Sequence, residues 1–599
     1  MTGRHTAGLG IWINGRRLPP ACDTALAWAR VEENGRASAS AELGFRGPQG
    51  AALLAGGDID LGSTVRLTAF AADGGHALFE GEVTDCETRA SAEAGAAGGG
   101  VFTVVRAEDH AHRLRRGVRV LAYHQMSAGE IVEEVAKLTG VPTGTVDRTG
   151  PKYPFLSQPA MSDWDFLAHL ARENGCELFF REGKLHFARP TRAADGPAKG
   201  TPSRQSPYAL EFGENLVKVS SVASLREQVT EVAVRAWDPE RKEPFAARRK
   251  PEGSQRRDVA WRAAPGAVRG EPLLLARLPR GTQHEVEQVA EVMAQEVSAG
   301  LTRLRAVVRG EPRLRLGSAV TLGGLGPRFQ GRYTVTGVCH EYHPESGYLT
   351  SVTVDEGADR LRVGRPGDGE AGLRRFHGLH PGKVVDIKDE QKRGRVKVQL
   401  PWLDPDYTSD WARTVQLGGS GGHGVVLPEV GEEVLVGFED GFLDRPYVLG
   451  GLYNGVDQLA THQLDLVDKS KGKTNRRSFA SKEGHRLELL DAGSPGMGAT
   501  LITGDGKLRL QLDQHNTLIS VHSDGSVEIS AKHGITVDAG QAPLELKGQK
   551  VTVSAQQGLQ LSGTKVELSG TDVQLSAAAK MKVSGSALAE ISAALVKIN

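Results

Sequence analysis

From Val527 onward the chain restates one short motif, an apolar, a polar and an apolar residue, at nearly constant spacing. The first apolar member falls at Val527, Ile535, Leu544, Val551, Leu559, Val566, Val573, Met581, Ala589 and Val596, so successive units lie 7 to 9 residues apart. In Val527/Ile529, Ile535/Val537, Val551/Val553, Val566/Leu568 and Val573/Leu575 the apolar pair flanks one polar side chain. That is the two-residue period of a β-strand, and a turn of Gly, Ser, Ala or Asn follows each unit. A strand this short cannot bury its apolar face alone, and no Phe, Trp or Tyr follows Leu501 to build a globular core. Burial must therefore come from stacking.

A left-handed β-helix needs six-residue steps, and a calcium β-roll needs a repeated GGxGxD pattern, which is absent. A single-chain right-handed β-helix with three units per coil stays open. Three identical chains wound around one another suit equal, minimal steps better, because each strand then pairs above and below with the other two chains. Ten units advancing one strand spacing of about 4.8 Å each would make a prism roughly 50 Å long. The ten apolar residues from Val527 to Leu575 named above as pairs form its expected core, and Lys597, Ile598 and Asn599 its terminal rung.

The 599 residues exceed one ordinary domain several-fold, so several cores are expected. Lys plus Arg (73) equals Asp plus Glu (73), which gives no reason to expect nucleic acid as a partner. The 75 glycines against 16 Phe, 7 Trp and 9 Tyr predict a turn-rich, strand-rich chain with modest cores. Cys22, Cys86, Cys176 and Cys339 form no CxxC, so buried free thiols are expected rather than disulfides or zinc. The N-terminal "MTGRHTAGLGIWING" lacks the apolar stretch of a signal peptide, which predicts assembly in the cytoplasm without export.

Residues 10 to 90 read as strands, and "SAEAGAAGGG" (Ser91 to Gly100) as a loop. Ser127 with Glu130 predicts a capping box ahead of Ile131, Val132 and Val135; Ser162 with Asp165 starts a second helix, and an acidic third begins at Thr282. The charged run from Pro239 to Arg257 reads as an exposed loop. The division drawn is 1–362, a linker at 363–375, a small barrel of the OB type at 376–456, a basic neck at 457–500 and the repeat at 501–599.

"GRVKVQLPWLD" (Gly394 to Asp404), "LPEVGEEVLVGFEDG" (Leu427 to Gly441), "RPYVLGGLYNG" (Arg445 to Gly455) and "GHRLEL" (Gly484 to Leu489), followed by the repeat, resemble VgrG-type trimeric spike proteins of contractile phage tails, type VI secretion and extracellular injection systems. "SDWDFLAHLARENGCELFF" (Ser162 to Phe180) and "FQGRYTVTGVCHEY" (Phe329 to Tyr342) look like that family's hub. The resemblance implies a mainly β chain: a hub of β-barrel-like modules with helices, an OB barrel and an intertwined trimeric β-helix. It implies a homotrimer that binds inner-tube or baseplate proteins at the hub and carries a PAAR-like tip protein or effector on Lys597, Ile598 and Asn599. Contact with the target membrane would be transient, and release of the particle is left open. No lysozyme or toxin domain is recognisable.

Chemical motifs are thin. Gly418, Ser420 and Gly422 match GxSxG beside His423, but strands rather than a strand and a helix surround them. His340 and His343 lack a third ligand at zinc spacing, and no histidine follows His533 for a metal at the tip. Lys469, Lys471, Lys473, Arg476 and Arg477 form a short basic cluster without interleaved aromatics, which reads as a solvated collar. No catalytic residue, cofactor or metal is assigned. A cell-wall-degrading tail enzyme and a carbohydrate-binding tailspike are the alternatives to a structural spike.

Overall fold

The computed structural model describes residues 8–35, 37–71, 73–91, 100–148, 150, 152–264, 266–270, 272–276, 281–355, 374–417, 424–493 and 497–598. Most of the Ser91 to Gly100 loop, residues 363–373 of the linker drawn at 363–375, the GxSxG run with His423, and Asn599 lie outside them. The chain divides into two units, Met1–Leu459 and Ala460–Asn599.

In the first unit an 11-stranded sheet joins two stretches of chain that are far apart in sequence. Strands between Gly8 and Glu108 form one half; Leu216–Ala223, Thr302–Arg309, Gly337–His343 and Gly347–Val354 form the other. The seam is the antiparallel pair Leu26–Asn34 with Gly337–His343, in which Val31 faces His340 and Ala29 faces Tyr342. Alternation drives each strand: in Ser40–Arg46 the residues Ala41, Leu43 and Phe45 are buried. They join Ile11, Leu67 and Val105 in one core, while Leu304, Val320, Tyr333 and Val352 centre a second.

The helices arise where their caps predict. Ser127 Oγ accepts the Glu130 N–H, the Glu130 carboxylate accepts the Ser127 N–H at 2.7 Å, and Gly140 closes the helix Ala128–Thr139 at φ 68°. That helix and Asp163–Glu173 bury Ile131, Val135, Phe166 and Leu170 with Leu185 and Phe187 of the adjoining hairpin. The helix Gln283–Ala299 sets Val286, Ala290, Met293 and Val297 against another hairpin, Val232–Asp238 with Glu243–Arg249. The run from Pro239 to Arg257 is thus not an exposed loop throughout. Its strand turns Phe245 and Ala247 towards the helix while Arg248 faces outward, an alternation hidden by the surrounding charge.

Leu379–Asp386, Arg395–Gln399, Ala412–Thr414, Pro446–Gly451 and Glu433–Phe438 close into a five-stranded barrel around Val384, Val396, Val398, Tyr407, Val434 and Val448. In the second unit Arg476–Ala480, Arg486–Asp491, Met497–Ile502, Leu508–Asp513 and Leu518–Ser523 form an antiparallel meander. Its third strand crosses the 500/501 division drawn from sequence. Among the described residues no strand follows Ser523.

Candidate assembly surface

Beyond the meander the apolar pairs stand in solvent within a single chain. Val527, Ile529, Ile535, Val537, Val551, Val553, Val566, Leu568, Val573 and Leu575 are each at least half exposed, and Ile598 is 88% exposed. Among the described residues from 525 to 598 one backbone hydrogen bond is made, from Ala542 N–H to Ala539 C=O at 3.0 Å. Side chains still sort into two sides. Lys565 pairs with Glu567, and Lys547 with Glu545 at 2.7 Å, on the positions that alternate with Val566/Leu568 and Leu544/Leu546. Unpaired backbone groups and an uncovered apolar side together leave this stretch without burial or pairing within one chain.

The meander has the same property. Cross-strand pairing aligns Phe479, Leu487, Leu501, Leu510 and Val521 in one row and Leu489, Ala499, Leu512 and Ile519 in the next. Phe479, Leu487, Leu489, Leu501, Leu510, Leu512, Ile519 and Val521 are all exposed. The opposite face is polar and centres on Glu488, only 3% exposed. Its carboxylate lies 3.1 Å from Arg486 Nε, 3.2 Å from His462 Nε2 and 4.0 Å from Arg476 Nη1, and Thr500 Oγ1 donates to it at 3.3 Å. Arg476 is therefore buried and engaged with Glu488, unlike exposed Lys469, Lys471, Lys473 and Arg477, and is no part of a solvated collar.

The hub meets the barrel at the antiparallel pair Arg119–Met126 with Tyr153–Met161. A register shift at Ala160, whose φ is 49°, pushes that residue into the barrel core, with Val120, Ala122 and Phe155 alongside. Ser157 N–H donates to Asp444 Oδ1 at 2.7 Å, and Ser157 Oγ lies 2.9 Å from the Tyr407 hydroxyl. Burial pushes the Asp444 carboxyl up to about 6, with the Ser157 bonds and Arg445 opposing and Asp410 adding to the rise. A carboxyl raised in the fold binds its proton more tightly there than in the unfolded chain. The stability it contributes is therefore full below about pH 4 and is lost as pH rises through about 6, on the order of 3 kcal/mol in all. Asp444→Asn is expected to raise the hub–barrel denaturation midpoint relative to wild type at pH 7.5, with the advantage vanishing at pH 4. Equal differences at both pH values would refute a desolvated, titrating Asp444.

The remaining chemical motifs do not assemble into a centre. His340 is buried; its ring nitrogens lie 3.0 Å from Leu314 O and 2.7 Å from Tyr348 Oη, and burial lowers it to about 3, so it is neutral. His343 is exposed at the end of the same strand. No group of three metal-ligating side chains occurs among the described residues, and none of their helices is long and apolar enough to cross a membrane. None of the four cysteines is in a disulfide; Cys22 and Cys176 are buried and Cys86 and Cys339 partly so. Glu488, His462, Asp444, Ser157 and Tyr407 were not singled out in the sequence, since nothing local distinguishes them from other polar strand residues.

A closed small barrel follows a hub of fused sheets. Residues 380–453 match the family described as the type VI secretion system/phage-baseplate injector OB domain, and residues 62–344 match the Alg8 N-terminal domain. The type VI secretion system spike protein VgrG1b of Pseudomonas aeruginosa is 29% identical over 210 residues, covering 32% of this chain and 28% of that protein. VgrG2a of the same organism is 35% identical over 88 residues, covering 13% of this chain and 10% of that protein. The matches thus span from a tenth to just over a quarter of these relatives' length. A Francisella PdpA-VgrG complex structure shares the fold, with a TM-score of 0.51 at 10% identity over 87% of this chain and 88% of that one. Over these matched stretches the chain is similar to VgrG-type spike proteins.

Proposed function

We propose that this chain is the structural central spike of a contractile, phage-tail-like injection particle. Residues 1–362 act as a hub that joins the inner tube or baseplate, 376–456 as the OB domain, and 457–500 as a neck. Residues 501–599 form a homotrimeric β-helix needle that pierces the target envelope. The particle is assembled in the cytoplasm, and a PAAR-like tip protein or effector seats on Lys597, Ile598 and Asn599. The role is mechanical and not enzymatic. The observation that carries this reading is the stretch from 525 to 598, with apolar pairs exposed at a spacing near eight residues and almost no backbone partner in one chain. Burying those pairs and pairing those edges requires other chains, and equal steps suit identical ones. Light scattering on the eluting full-length protein should give about three times 63.9 kDa. A stable, folded monomer would remove the needle and with it the spike.

A further inference from the structure

The strand Arg257–Val259 runs along the edge of the sheet formed by Ala209–Glu211, Ala319–Gly323 and Gly331–Thr334. It comes so close at Gly331, φ 156°, that a Cβ there would lie 2.3 Å from Asp258 O. Beside this strand and the turn Ala193–Asp195 is a cavity of about 230 Å³ lined by Arg192, Ala194, Ser254, Gln255, Arg257 and Asp258.

Its arginines lack counter-charges. Arg257 Nη1 donates to Thr302 Oγ1 at 3.0 Å and Nη2 to Ser298 Oγ at 3.5 Å, two buried hydroxyls, while its Nε–H is buried without an acceptor. Among the described residues no carboxylate lies within ion-pair distance of Arg257 or Arg192. Asp258, the one acid of the lining, is already engaged by Arg332 Nη2 at 2.8 Å and Lys199 Nζ at 3.2 Å. Burial, with Arg262 nearby, lowers Arg257 to about 10, the response of a cation that misses an anion.

We propose that this cavity is a binding site for a small free oxyanion of the phosphate class, held between Arg192 and Arg257. Two guanidinium groups match the charge of a phosphate near neutral pH, and their fixed N–H geometry suits its oxygens. Ser254 Oγ accepts the Arg256 N–H at 3.2 Å, which leaves its O–H to donate, and the Gln255 amide adds a further donor to the lining.

Calorimetric titration of the full-length protein with inorganic phosphate, at constant ionic strength in chloride, should show saturable binding. Arg257→Gln and Arg192→Gln should each weaken it about tenfold or more. Phosphate also stabilises proteins by exclusion from their surface, an effect common to all variants, so the difference between chains carries the result. If Arg257→Gln does not fold, exposed Arg192→Gln decides. Absence of saturable binding to the wild type, or equal affinity of wild type and Arg192→Gln, would overturn the site and leave Arg257 balanced by the hydroxyls and the C-terminal end of the helix Gln283–Ala299 alone.

Discussion

Val566→Asp should abolish the trimer, whereas Glu567→Lys, one residue away, should leave it intact. In a single chain Val566 is 57% exposed in a stretch whose backbone is almost unpaired, and Glu567 is paired with Lys565 on the opposite side. If three copies of Val566 meet at an axis, the aspartate variant buries three carboxylates without a cation. Each costs on the order of several kcal/mol, and the three together cancel about the hydrophobic gain of one whole rung. Lysine at 567 remains in water beside Lys565, and like charges there cost about 0.5 kcal/mol. Light scattering on both variants decides the matter. Equal tolerance, or equal loss, would mean that the inside and outside of the repeat have been misassigned.

Glu488→Ala should destabilise the meander by roughly 3 to 5 kcal/mol, because it removes the single acid shared by Arg486, Arg476 and His462 in a desolvated site. Glu488→Gln keeps the volume and an acceptor for Thr500, and is expected to lose less. Chemical denaturation of the two variants gives the comparison. A loss below about 1 kcal/mol for the alanine variant would show that water already screens the cluster.

Glu488 and Asp444 also mark where reading the chain by itself stops. Ser127 with Glu130 announces its helix because a cap acts within four residues, and the capping box forms as expected. The barrel strands are legible for a similar reason, since Val396 and Val398 alternate with charged neighbours over a short span. Nothing local tells that Arg476 turns inward to Glu488 while adjacent Arg477 faces solvent, or that Phe245 and Ala247 make a strand out of a charged run. These outcomes depend on which helix or strand arrives from elsewhere.

The period and alternation of the repeat from Val527 to Val596 and its lack of aromatics are set by sequence alone, and on them rests the proposal that stacking buries it. The same holds for the helix starts and the small barrel, whose signals are carried by neighbours in the chain. Only the tertiary structure decided that Leu26–Asn34 pairs with Gly337–His343, that Ala160 enters the barrel core, and that Asp444 meets Ser157 across 287 residues. The reason is physical. Periodicity reports which side of an element is apolar, but backbone hydrogen bonds and buried charges are satisfied by whichever distant partner the packed chain brings within about 3 Å, and that partner leaves no mark in the local pattern.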